Sequence, residues 1–200
     1  MRSTTRAIFT AFLPAALLAI SLTGCRGSTE VPRMGFVPDS IRLKPMSGDK
    51  LTRTWAARSI KPLSSYSSVQ VEAVEVPAYA DIDCTDEQLQ TIRTTLQNDL
   101  QNYLGNGGGT GPVLVVRAAI TAVKPNNPLL NVAPQSQMMK RGYGYGAVEI
   151  YATAGLGGPV VAAMASTVDT QRFSAEKLEE MGTVERGCQQ WSQAFAGLFD

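Results

Sequence analysis

Between Pro77 and Pro112 lies a segment whose two ends and apolar stripe all specify one helix, and that helix dictates how the strands beside it connect. Thr85-Asp86-Glu87-Gln88 is a capping box: the threonine side chain can accept the N3 amide while Gln88 reaches back to the threonine N–H. Leu89, Ile92, Leu96, Leu100, Tyr103 and Leu104 follow at helical spacing, and Gly105 stands where a C-cap glycine belongs. On both sides the apolar period is two. Residues 69–76 (VQVEAVEV) alternate, with a phase slip at Ala73-Val74 that suggests a bulge, and Pro77 closes the run. Residues 113–123 place Leu114, Val116, Ala118 and Ile120 on one face. A strand, a helix and a strand in that order imply a right-handed crossover with the two strands parallel.

Two further strands are expected at 147–154 and 160–168, joined by the hairpin signal Gly155-Leu156-Gly157-Gly158-Pro159. A last helix near 184–198 puts Val184, Cys188, Trp191, Phe195 and Leu198 on one stripe. The expected fold is α+β: a two-layer sandwich with a four-stranded mixed sheet, order β-α-β-β-β-α, and two helices on one face. Ala162, Ala163 and Ala165 would let a helix approach the last strand closely. Glu72, Glu75 and Glu149 alternate with apolar residues, so the expectation is a solvated or salt-bridged outward face, with Arg117 and Glu149 as a cross-strand ion pair.

The N-terminus has another character. Arg2 and Arg6 precede an apolar stretch at 7–20 (AIFTAFLPAALLAI), too short to span a bilayer comfortably, and Leu22-Thr23-Gly24-Cys25 matches the lipobox of bacterial lipoproteins. Residues 1–24 are therefore expected to be a lipoprotein signal peptide, with Cys25 the lipidated residue. Residues 25–67 form a tether and extended lead-in, with Phe36 and Trp55 as docking points, and 68–200 a single domain. Resemblance to lipoproteins also implies a sorting rule: Arg26, where aspartate would retain the protein at the inner membrane, implies the periplasmic leaflet of the outer membrane. With Cys25 assigned to lipid, Cys84 and Cys188 are left as an even pair in an oxidising compartment. Parallel helices would bring them together as a disulfide; alternatively Cys188 is a small buried residue of its stripe.

Losing Arg2 and Arg6 with the leader turns 18 basic and 17 acidic residues into 16 and 17, without a basic cluster, which argues against nucleic acid as a partner. The chain has no histidine, so every imidazole-based triad and the commonest metal ligand are missing. The glycine-rich run 105–111 follows a helix and precedes a strand, the reverse of a phosphate loop, and reads as a connector. Ser174-Ala175-Glu176-Lys177 is a weak Ser-x-x-Lys match without companion motifs. The most suggestive segment is the long connection 124–145 (KPNNPLLNVAPQSQMMKRGYGY). Leu129, Leu130, Met138, Met139, Tyr143 and Tyr145 are its candidate partner contacts, unless the same side chains fold back onto the domain.

Gly35-Phe36 through Leu43-Lys44-Pro45, Tyr66, Val74-Glu75-Val76, Leu114 to Ile120, Gly146-Ala147-Val148-Glu149 and the closing helix around Trp191 resemble a bacterial lipoprotein family known as domain of unknown function 3313. The chain departs from that pattern in its glycine-rich hairpin. The resemblance implies an envelope location and supplies no catalytic residues. The expected function is a non-enzymatic, outer-membrane-anchored adaptor or accessory subunit of an envelope protein complex, without metal or cofactor. The alternative is a carrier or sensor binding a lipid or cell-wall fragment between the sheet and the long loop. A hydrolase is disfavoured by the missing histidine.

If Cys25 is the lipid attachment point, Cys25→Ser should abolish incorporation of radiolabelled palmitate and shift the protein out of the outer-membrane fraction. Normal labelling of that variant would overturn the lipoprotein reading.

Overall fold

The structure, a computed structural model, describes residues 35–46, 52–132, 142–171 and 175–200. Cys25, Met138, Met139 and Ser174 lie outside the described residues. In chain order the elements are β1 (Lys44–Pro45), β2 (Thr52–Ala57), β3 (Val69–Val71), β4 (Asp81–Ile82), α1 (Asp86–Leu104), β5 (Leu114–Lys124), α2 (Pro128–Val132), β6 (Tyr145–Ala154), β7 (Val160–Asp169) and α3 (Gly182–Ala196). The strands form one sheet in the order β1-β2-β7-β6-β5-β3, with β4 also pairing with β5. β3 and β4 run parallel to β5; the β5–β6, β6–β7, β2–β7 and β1–β2 pairs are antiparallel.

Among the described residues the sheet therefore has seven strands, and the expected four-stranded sheet is corrected. Two of the extra strands come from residues 44–57, where prolines and cations mask the short alternation of Thr52-Arg53-Thr54-Trp55. The third is β4, which lies beyond Pro77 and so outside the strand expected at 69–76. β3 ends at Val71, which pairs with Val116, and Glu75 then bridges Ala119. Four residues on one side thus match three on the other, which is the extra residue that the slip at Ala73-Val74 suggested. After the turn at 77–80 the chain returns to pair Asp81 and Ile82 with Ala122 and Val123 as β4.

α1 is capped as its sequence prescribes: Thr85 Oγ1 accepts from Gln88 N at 3.2 Å, and Gln88 Oε1 accepts from Thr85 N at 3.0 Å. Its stripe Ile92, Leu96, Leu100 and Leu104 is buried against Leu114, Val116, Ile120, Val148 and Ile150 of the sheet. α3 completes the layer with Val184, Cys188, Trp191 and Phe195. Trp191 can lie this close to the sheet because its ring rests on two glycines. A Cβ on Gly146 would come within 2.9 Å of the indole, and one on Gly187 within 3.0 Å.

Cys84 and Cys188, expected as a disulfide, are both free. Cys188 Sγ faces the Ile92 carbonyl at 3.9 Å, about two turns into α1 from its start beside Cys84. The packing of α3 on α1 sets that register and keeps the thiol in the apolar layer. Burial pushes the Cys188 thiol far up, with the charges of Asp99 and Glu185 adding to it.

The second face of the sheet is not the solvated surface that alternation implied. Glu75, Ala119, Glu149, Ala165, Trp55 and Pro45 stand opposite one another as a single row across six strand segments. Ala119, Glu149 and Ala165 in this row are fully buried. Ala163 and Ala165 lie on this face, whereas Ala162 belongs to the helix-side core. Flanked by alanines, Glu149 has room above it for main chain, and the lead-in fills that room. Its Oε2 accepts the amides of Phe36 at 2.8 Å and Val37 at 2.7 Å, and the Phe36 ring sits 5.3 Å from Tyr151. The expected Arg117–Glu149 pair does not form. Arg117 is opposite Tyr151 in register, its Nε stands 2.8 Å from Glu72 Oε2, and Glu149 is opposite Ala119.

Glu149→Ala would strand both lead-in amides. Hydrogen bonds to a charged group contribute about 1.5–3 kcal/mol each, so a loss of roughly 3 kcal/mol or more is expected in urea unfolding. Faster hydrogen exchange at Phe36 and Val37 should accompany it. Glu149→Gln, which keeps an acceptor without the charge, should lose about half as much.

Candidate functional site

The two ends of the sheet differ in construction. At one end the connection between β5 and β6 is fastened by a buried polar cluster built on Asn126. Its main-chain N–H donates to the Glu180 carbonyl at 2.7 Å and its Nδ2 to the Glu179 carbonyl at 2.7 Å, tying the connection to the segment before α3. Its Oδ1 accepts Gly144 N at 2.7 Å and stands 2.7 Å from the Thr170 hydroxyl, which is itself 2.8 Å from that of Thr183. Asn127 N donates to the Gly142 carbonyl and closes the base of the connection. Gly142 is needed for this approach: its φ is +81°, and a Cβ there would meet the Leu130 Cβ at 2.8 Å.

From that base projects the one-turn helix α2. Asn127 Oδ1 accepts Leu130 N, the Asn127 carbonyl accepts Asn131 N, and Asn131 is buried. The opposite side of the turn is left outside, with Leu129 83% and Leu130 41% exposed. The structure thus brings only part of the expected contact set together. Leu129 and Leu130 are adjacent and exposed, and Tyr143 is half-buried. Tyr145 is a residue of β6, opposite Lys124 on one side and Asp169 on the other, beside the Arg53–Asp169 ion pair at 3.8 Å. Burial raises the Tyr145 phenol above its ordinary value; Asp169 and Asp81 add to this and Arg53 opposes it.

At the other end, where β2 and β6 finish and β7 begins, a half-open groove of about 460 Å³ has walls of Ile41, Ala57, Tyr66, Pro112, Ala154 and Val161, with Arg58 and Lys61 also lining it. A neighbouring hollow of about 430 Å³ shares Ala57 and Arg58 and adds Arg42 and Lys44. Sequence reasoning missed this site because Arg58 to Lys61 fell in the segment assigned to the tether. The available signal was the apolar run Trp55-Ala56-Ala57 ending in paired cations. Among the described residues no group of three or more His, Cys, Asp or Glu side chains is placed to hold a metal ion, and no helix is long and apolar enough to cross a membrane.

A family model described as Protein of unknown function (DUF3313) matches residues 33–195. Among solved structures, the PelC dodecamer from Paraburkholderia phytofirmans is similar at 9% identity and a TM-score of 0.48, covering 74% of this chain and 98% of that one. A single-substitution variant of that dodecamer gives 10% identity and a TM-score of 0.48, over 74% and 96% of the two chains. An uncharacterized protein gives 14% identity and a TM-score of 0.39, over 71% and 96%. No curated protein matches the chain.

Asn126→Ala should unfasten the long connection. It takes the side-chain partner from the Gly144 amide and the Glu179 carbonyl, a cost of about 1–3 kcal/mol for a buried unsatisfied group. The expected readout is a lower urea midpoint with accelerated exchange confined first to residues 126–132 and 142–144.

Proposed function

The chain belongs to the family described as Protein of unknown function (DUF3313), and on the geometry of its long-connection end we propose that it is a non-enzymatic, lipid-anchored envelope protein that docks a protein partner there. The observation that carries this reading is Leu129 and Leu130 exposed side by side on a turn whose base is immobilised by a buried hydrogen-bond cluster. Apolar side chains held outward on a rigid base lose little conformational freedom on docking, so more of the burial energy appears as affinity. A turn that served only to cover the core would direct its leucines inward.

The clamp at Glu149 supports the anchoring half of the proposal. Nine residues separate Cys25 from Gly35, a reach of at most roughly 35 Å for extended chain. Because the next two amides are bound by Glu149, a lipid on Cys25 would hold the folded domain within that distance of its membrane. The proposed address is the periplasmic leaflet of the outer membrane, following Arg26.

A photocrosslinker at Leu129 in the full chain, expressed in intact cells, should give one discrete protein adduct. Leu130→Ser should weaken it with little change in melting temperature, since substitutions at exposed sites usually stay within about 0.5 kcal/mol. A loss of several kcal/mol on Leu130→Ser would show that the leucines are core, and a diffuse adduct pattern would remove the docking role.

A further inference from the structure

The end of the sheet opposite the long connection carries an independent feature that partner docking does not use. After β2 the chain runs Arg58-Ser59-Ile60-Lys61, and this short loop is rigid by construction. Ser59 N donates to the Leu198 carbonyl at 3.0 Å, fastening the loop to the C-terminal segment. Ser59 Oγ donates to the Lys61 carbonyl at 2.8 Å and accepts Lys61 N at 3.2 Å, which turns the chain sharply at Ile60. Ile60 is consequently fully exposed, an isoleucine held out between two cations at the mouth of the apolar groove.

The charged residues that line the groove and its neighbouring hollow are all cations. Arg58 and Lys61 line the groove, and Arg42 and Lys44 line the hollow that adjoins it across Arg58. Among the described residues none of these four side chains forms an ion pair; the pairs present are Arg53–Asp169 and Arg117–Glu72. Two cations on an apolar trough, with two more along the adjoining hollow, describe a ligand with an apolar chain and an anionic head. The trough volume of about 460 Å³ lies within the usual range for small-molecule sites, roughly 300–1,000 Å³. An acidic peptide would leave the apolar walls unused, and a free fatty acid brings one carboxylate to four cations.

We infer that this groove binds an acidic phospholipid, one acyl chain lying along Ile41, Tyr66, Ala154 and Val161 and the phosphate held between Arg58 and Lys61. Arg58 and Lys61 supply charge-assisted hydrogen bonds to the phosphate oxygens, Arg42 and Lys44 strengthen the local positive potential, and Ile60 contacts the glycerol and first methylenes. The site is distinct from the alternative expected on sequence, which placed a lipid between the sheet and the long loop.

The test uses the full chain carrying photoreactive benzoylphenylalanine at position 60, made in cells, purified into lipid-free detergent and illuminated only then. Bulk membrane lipid is washed away, so only a retained molecule can be captured. The expected result is an adduct with the mass of one phosphatidylglycerol or cardiolipin. Its yield should fall roughly thirtyfold in Arg58→Gln/Lys61→Gln, the effect of two cations facing acidic lipid. Both residues are exposed, so the melting temperature should hold, and Lys124→Gln at the far end should leave the yield unchanged. An adduct with phosphatidylethanolamine in proportion to its abundance, an adduct with a free fatty acid or a peptide, no adduct, or an unchanged yield in the double variant would each overturn the assignment. Crosslinking from Leu129 is a separate readout, so failure here leaves the partner-docking reading standing and the reverse also holds.

Discussion

Glu149 is a carboxylate buried in the middle of a sheet, and the closure of the second sheet face depends on how its charge is met. β5, β6 and β7 have both faces removed from water, the arrangement that makes a strand read as a continuous apolar run rather than an alternating one. α1 and α3 cover one face. On the other, small side chains at Ala119 and Ala165 leave a depression beside Glu149, and the amides of Phe36 and Val37 enter it to satisfy the carboxylate. A buried carboxylate without donors costs far more than a buried amide, so the lead-in is recruited by polarity as much as by the apolar contacts of Phe36 and Val37. The small residues and the charge belong to one device.

The same logic governs both layers and one of the ends. Trp191 is admitted to the sheet by the absence of side chains at Gly146 and Gly187, as the lead-in is admitted by alanines on the far side. Asn126 does for the long connection what Glu149 does for the lead-in. Each is a buried polar side chain whose several bonds go to main chain far away in sequence, so each converts an otherwise loose segment into a fixed one. Among the apolar side chains left outside are two leucines at one end and an isoleucine beside cations at the other.

Local sequence announces the elements whose determinants lie within a turn or two of chain. The capping box at Thr85, the stripe from Ile92 to Leu104, the hairpin after Ala154 and the stripe ending at Leu198 need only neighbours three, four or two residues apart. So does the slip at Ala73-Val74, which became a one-residue offset against β5. β2 was illegible for the opposite reason. Six residues among prolines and cations become a strand only because β7 presents an unpaired edge, from Thr52 opposite Val168 to Ala57 opposite Ala163. The groove beyond Arg58 was hidden with it, since its walls come from residues 41, 66, 112 and 154–162, which no local pattern brings together.

The sequence by itself determined the two long helices, the hairpin, the lack of histidine, and the apolar stretch at 7–20 with Cys25 beyond it, because each is a property of adjacent residues or of composition. Only the tertiary structure decided that Glu149 is a clamp rather than a solvated side chain. Only it decided that Arg117 pairs with Glu72, that Cys188 meets Ile92 rather than Cys84, and that the sheet has seven strands among the described residues. In each of these the partner is fixed by register or by helix packing, and a chain read residue by residue carries the donors and acceptors without saying which of them will be left opposite one another once water has been excluded.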